Sequence, residues 1–409
     1  MCRFRDVMPA PSLLTGITHV NLAFMASTTF NQAPPAVWPL FTSVSNIRSK
    51  FAQRVSVLVS IGGWGDTTGF SAAIVSDSAR KTFAQNIKKM VDDTGADGKH
   101  IPLVYLQANR DLIITQAWTL TGNIQGEQTP FLPRNPLRSL MRTENRATSD
   151  NKDRGNGADY KITPNSAKVP EIAAYPLLLA DIRTALGPGK LLTAAVPGLE
   201  RDMIAFTAAN MPSILQPLNF TNIMTYDLMN RRDTITSHHT GIQASLTSLT
   251  TYHSRGVPFE SMNLGFAFYI KWFRTDPSST CATTPLGCKT ALLEYPTNGS
   301  DTGNSGAFAW SDPVPPAVAP SYARAIAQGT YDPVGGGQYF WDAAENIFWT
   351  WDTPDAIAKK FPTIMGKEQM CGVFAWGLGE DAPKYEHLSA LTGRMKGWGN
   401  GTSAAARRV

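Results

Sequence analysis

The chain has 409 residues, 43% of them hydrophobic and only 17% charged. That balance excludes a coiled coil and a disordered charged tail. A net charge of +5, spread along the chain, is too mild to argue for nucleic acid as a partner. No apolar run approaches the roughly eighteen residues that would suggest a membrane span. The length allows one large domain or two to three average ones. Ten Trp, eleven Tyr and nineteen Phe are more aromatics than a core needs, which points to stacking surfaces. The start, Met1–Leu14, is basic but lacks an apolar stretch, so no signal peptide is expected.

In chain order, short apolar runs rich in β-branched and aromatic residues predict strands at Thr18–Phe24, Val55–Ile61, Leu191–Val196, Phe220–Tyr226, Met262–Phe268 and Gly372–Trp376. Helical spacing predicts helices at Ser76–Thr94, Glu171–Leu186, Arg201–Met211, Gly241–Arg255 and Asp355–Phe361, with Ser76 as an N-cap. Repeated strand–helix units imply a parallel sheet. Several strands end in polar or aromatic residues, as in Ser60–Trp64, Met224–Leu228 and Ala375–Asp381. Functional groups at the C-terminal ends of strands are the pattern of a (β/α)8 barrel, a TIM barrel in the α/β class. A doubly wound sheet is the alternative, but no Gly-rich phosphate turn follows a first strand.

Residues 275–350 break this rhythm with Gly, Pro, Ser and aromatics, and predict a small inserted α+β subdomain between strands 7 and 8. Cys281 and Cys288 bracket a short loop and either close it as a disulfide or remain free thiols, since four cysteines allow three pairings. No Cys/His constellation has metal-ligand spacing, so neither metal nor cofactor is implied. The adjacent His238 and His239 read as a loop feature.

Taken in order, these residues resemble glycoside hydrolase family 18, in its fungal chitinase branch. Ser60-Ile61-Gly62-Gly63 is similar to the family's S-x-G-G on the third strand, and Met224-Thr225-Tyr226-Asp227 to its M-x-Y-D on the sixth. Trp376 is similar to the eighth-strand Trp that floors the sugar site, and Tyr339–Asp342 with the run that follows resembles the family's aromatic insertion. The resemblance covers residues 12–98 and 155–395, which makes 12–395 one barrel domain and 396–409 a flexible tail. The family begins with a strand that has no counterpart before Thr18, so the first barrel strand looks missing.

One part of the family pattern is absent. The acid-bearing signature D-x-x-D-x-D-x-E should follow Gly95–Gly98, yet no D-x-D-x-E occurs anywhere in the chain. Residues 99–154 look foreign, polar and without period, and are expected to disrupt the fourth strand. Codon degeneracy offers an explanation. The codons permitted for Gln116–Gly126, read in another frame, spell Met-Asp-Ile-Asp-Trp-Glu-Tyr-Pro-Gly. The permitted codons at Gly98-Lys99, Gln116, Gly126-Glu127 and Asp153-Arg154 also accommodate two pairs of splice sites, and removing the two segments between them restores the frame. Residues 99–154 therefore read as retained introns, expected to be disordered in the chain as written. The competing explanation is a genuine insertion with coincidental codons.

The resemblance implies a retaining, substrate-assisted chitinase. The substrate's own acetamide carbonyl is the nucleophile, so a single Glu acts as acid, with neighbouring Asp residues raising its pKa. Tyr226 would donate to the acetamide carbonyl and Asp227 would bond to the sugar or acetamide. Trp376 would stack on the sugar, and Trp64, Met224 and Tyr269 would line the site, with Trp272 a weaker candidate. Glu127 and Glu144 lie in the foreign segment and are poor replacements for the acid. The implied partner is chitin or a chito-oligosaccharide, with no nucleic acid and no membrane, bound by a monomer that is extracellular as family members often are. The literal chain is expected to be inactive. The alternative is a non-catalytic chito-oligosaccharide binder.

Overall fold

A computed structural model describes residues 8–52, 54–63, 66–102, 169–279, 281–366 and 370–398. Twelve strands follow one another among these residues. They are β1 His19–Met25, β2 Ser56–Ile61, β3 Gly98–Pro102, β4 Leu191–Pro197, β5 Phe220–Met224, β6 Met262–Ala267, β7 Tyr269–Arg274, β8 Ser305–Ala309, β9 Thr330–Asp332, β10 Gly337–Asp342, β11 Ile347–Trp351 and β12 Gly372–Trp376. Seven of them form a parallel sheet in the order β1-β2-β3-β4-β5-β6-β12, curled with helices on its outer face. This is a (β/α)8-type barrel with seven strands among the described residues and β1 and β12 as its two edges.

The parallel strands form because both faces are apolar. Successive residues of β2, Val57 through Ile61, and of β6, Met262 through Ala267, are all buried, so both faces of the sheet are covered. The Asp77–Thr94 helix starts where Ser76 accepts from the Ala79 N–H at 3.1 Å and stops at Gly95, in the left-handed conformation at φ +69°. Phe83, Ile87, Met90 and Val91 on one face of it pack into the main core. The helices at Val169–Leu186, Ile242–Ser254 and Pro354–Lys360 fall within two residues of expectation.

The expected helix at Arg201–Met211 does not form. A 3-10 turn, Glu200–Asp202, and a short helix, Met211–Leu215, stand there instead. Asp202 is fully buried and takes a two-pronged ion pair from Arg232 at 2.9 and 2.7 Å, which ties the segment to a distant loop. Met203, Ala205 and Phe206 reach the core from turns, so the apolar spacing was real but tertiary contacts overrode the helix.

Residues 99–102 belong to strand β3, between β2 and β4, so the start of the foreign segment is ordered rather than disordered. Gly98 opens that strand because a Cβ there would meet the Leu191 backbone at 2.1 Å. Residues 103–154, with Glu127 and Glu144, lie outside the described residues, as does the tail beyond residue 398.

The inserted unit is a five-stranded antiparallel sheet, β8-β7-β11-β10-β9, backed by the Ala319–Gln328 helix. It begins at Tyr269 rather than at 275, so Tyr269 and Trp272 sit on its first strand and not on the barrel strand β6. Ile270, Phe308, Ile347, Trp349 and Trp351 make its core, and the Trp349 indole donates to Ser321 Oγ at 2.9 Å. Cys281 and Cys288 are bridged, which settles the question their spacing left open. No helix among the described residues is long and apolar enough to cross a membrane.

Candidate active site

Side chains distant in sequence meet at the C-terminal ends of the barrel strands. Ala195 from β4, Met224 from β5, Ala267 from β6, Tyr269 from β7 and Trp376 from β12 form one buried cluster with Tyr226, against which Phe24 and Phe374 pack. This is the end of a parallel barrel at which functional groups collect.

The β5 strand is shorter than its apolar run because the chain turns at Thr225–Asp227. Thr225 Oγ1 donates to the Gly265 carbonyl at 2.8 Å and accepts from the Gly265 N–H at 2.9 Å, pinning the turn to β6. Asp227 is held at φ +53°, in the left-handed region that costs a non-glycine residue energy. The turn delivers Tyr226 and Asp227 side by side, both buried. Tyr226 packs edge-on to Tyr269 (6.3 Å between ring centroids) and to Phe374 (6.0 Å).

Asp227 is charge-compensated. Lys271 Nζ donates to Asp227 Oδ1 at 2.7 Å, with the two side chains 10% and 1% exposed. His239 Nδ1 lies 3.9 Å from the same oxygen, too far for a hydrogen bond, and burial beside Lys271 and Lys360 keeps the imidazole neutral well below its ordinary pKa. Burial, followed by the charges of Asp227 and Glu380, pushes the Tyr226 phenol well above its ordinary pKa. Tyr269 is raised in the same direction by burial, then by Asp227 and Tyr226. Both phenols therefore stay protonated and able to donate, beside a carboxylate balanced by an ammonium.

Trp376 stacks on Phe24 with ring centroids 6.0 Å apart at 19°, and is 4% exposed. The two glycines of Ser60–Gly63 have positive φ, +105° and +117°. A Cβ on Gly63 would lie 2.9 Å from the Phe24 ring, so this glycine makes room for the ring that backs Trp376. Trp64 lies outside the described residues.

Of the sequence candidates, the structure brings Met224, Tyr226, Asp227, Tyr269 and Trp376 together. Trp272 faces the insert, 6.4 Å from Trp349. Lys271, His239 and Phe24 are neighbours that sequence reasoning missed, and His239 is more than a loop feature. No local signal marks them, because Phe24 comes from β1, Lys271 from the insertion and His239 from the far end of the loop after β5. Asp381 is an internal fastener. It is buried and accepts from the Leu388 N–H at 2.9 Å, with His387 Nδ1 2.6 Å away, tying down the Glu386–Trp398 helix. No cluster of three metal-type side chains exists among the described residues.

Burial also gives the fold a pH dependence. His19, His238 and His239 are held below the ordinary imidazole pKa chiefly by burial, and His100 is lowered from 6.5 to about 3 by burial and then by Lys99. With folded pKa values depressed, the unfolded chain binds more protons below 6.5, so stability present at neutral pH is lost as the pH falls from 6.5 toward 3. Melting curves recorded from neutral pH to about pH 4 should show a falling midpoint, with a shallower slope in His100→Asn. An unchanged slope in that variant would mean that His100 titrates normally.

The family model for glycosyl hydrolases family 18 matches residues 4–381. Chitinase B of Serratia marcescens is 23% identical over 93% of this chain and 76% of that protein. Chitinase 1 of Aphanocladium album is 22% identical over 77% of this chain, which spans 59% of that relative's length. Among solved structures, a chitinase from Rhizomucor miehei superposes with a TM-score of 0.64 at 17% identity, covering 96% of this chain and 99% of that one. A class V chitinase from Nicotiana tobaccum in complex with NAG4 superposes with a TM-score of 0.59 at 17% identity, covering 97% of each chain.

Proposed function

The chain belongs to glycosyl hydrolase family 18, and from that premise we propose that its cleft is built to bind and cleave β-1,4-linked N-acetylglucosamine by a retaining, substrate-assisted route. The observation that carries this reading is the meeting of Met224, Tyr226, Tyr269 and Trp376 beside a charge-balanced Asp227 at the C-terminal ends of the strands. In this reading Tyr226, protonated by its surroundings, donates to the acetamide carbonyl and holds it toward the anomeric carbon. Asp227, fixed by Lys271, orients the sugar or its acetamide. Trp376 and Phe24 provide the aromatic floor. The site belongs to an extracellular, monomeric enzyme, as expected of a protein that works on a polymer outside the cell.

The acid that this route requires is absent from the chain as written, because no D-x-D-x-E occurs in it. The proposal therefore includes the splicing reading. The working enzyme lacks residues 99–154 and carries Met-Asp-Ile-Asp-Trp-Glu-Tyr-Pro-Gly after Gly98. The same absence favours a second reading for the literal chain, a chito-oligosaccharide binder without hydrolytic activity. Sequencing the transcript between the codons of Ala96 and Tyr160 separates the two. A transcript encoding Asp-Gly-Met-Asp-Ile-Asp-Trp-Glu is the expected result, and transcripts that uniformly retain the codons for 99–154 would sink the enzyme reading.

A further inference from the structure

Strand β3 has β2 on one side and β4 on the other, so it is interior to the sheet. Three of its five residues do not suit that place. Lys99 is fully buried, and its Nζ has no hydrogen-bond partner among the described residues. The ammonium sits 5.3 Å from the centroid of the Phe83 ring and 5.8 Å from that of Phe30, on the helix-facing side. Two ring faces offset only part of the hydration that a buried cation gives up, and burial pushes the amine well below its ordinary pKa. His100, on the opposite face, meets Thr193 Oγ1 through Nδ1 at 2.7 Å, while its Nε2 and the Oγ of its register partner Ser60 are buried without partners. Pro102 pairs with Ala195 in an interior strand, where a residue without an N–H is out of place.

The shifted reading frame changes these three positions and keeps the two that fit, Gly98 and Ile101. It writes Met at position 99, Asp at 100, Ile again at 101 and Asp at 102. Met has the reach of Lys without the charge, and a thioether is favourable between two phenyl rings. A carboxylate at 100 offers acceptors to the hydroxyls of Ser60 and Thr193, and an Asp at 102 restores the missing N–H. Codon degeneracy and side-chain burial are independent observations, and they agree position by position.

We infer that the interior slot of the sheet is shaped for the shifted-frame strand, with the pocket between Phe30 and Phe83 built for the methionine at position 99, so that Lys99–Pro102 belong to the intervening segment although they are folded into the sheet. This rests on the splicing reading above, but its test does not need hydrolysis. Lys99→Met in the 409-residue chain should raise the thermal midpoint by about 2 °C or more, and Lys99→Gln, equally uncharged but still polar, by less. If the chain is purified only partly folded, the same order should appear as the fraction that resists proteolysis. No change or a loss with Lys99→Met, or an equal gain with Lys99→Gln, overturns the inference. A gain from Lys99→Met alongside an inactive rejoined chain would leave this inference standing and remove the enzyme reading. The reverse pair of results would do the opposite.

Discussion

A chain in which Gly98 runs directly into Met-Asp-Ile-Asp-Trp-Glu-Tyr-Pro-Gly and on to Gly155 should hydrolyse chito-oligosaccharides, whereas the 409-residue chain should not rise above the uncatalysed background. The difference is the acid. Cleavage needs a proton on the leaving oxygen, and a positioned general acid contributes roughly 10²–10⁴-fold. In a substrate-assisted scheme no second enzymic carboxylate can take over that role. The described cluster at the strand ends supplies protonated phenols and a carboxylate held by Lys271. The measurement is the release of chito-oligosaccharide products by both chains under the same conditions, with the Glu of the restored segment changed to Gln as control. Any measurable hydrolysis by the 409-residue chain above background would show that another residue supplies the proton.

Lys271→Ala should be the most damaging single substitution near the cleft, costing about 3–5 kcal/mol of stability, because it leaves the carboxylate of Asp227 buried without its cation. The pair lies 2.7 Å apart, with Asp227 fully buried, so water cannot replace the lost ammonium cheaply. Lys271→Arg keeps the charge and should lose much less. The check is denaturant unfolding of both variants, together with chito-oligosaccharide affinity in the rejoined chain, which should fall as Asp227 loses its fixed position. A loss below about 1 kcal/mol for Lys271→Ala, the scale of an exposed ion pair, would mean that the carboxylate finds another partner.

The second expectation joins the turn after β5 to β7, and this is where reading along the chain loses its grip. Apolar runs with strand spacing and the 3.6-residue pattern are local properties, so six barrel strands and four helices could be placed to within a few residues. Tyr226 and Asp227 were legible because four adjacent residues carry the family resemblance. Lys271 was not, since its meaning depends on the antiparallel strand that begins at Tyr269 and swings an ammonium over the end of β5. His239 and Phe24 reach the cluster in the same non-local way. The failed helix at Arg201–Met211 has a related cause, because the deciding partner of Asp202 is Arg232, thirty positions away.

Sequence by itself therefore determined the parallel α/β architecture, the interruption by an inserted subdomain and the family motifs, all carried by neighbours along the chain. Only the tertiary structure decided that Cys281 and Cys288 are bridged, that Asp227 is neutralised by Lys271, and that Lys99 lies buried between two phenylalanines. These are matters of burial and pairing between distant segments, set by which side chains the closing sheet brings face to face.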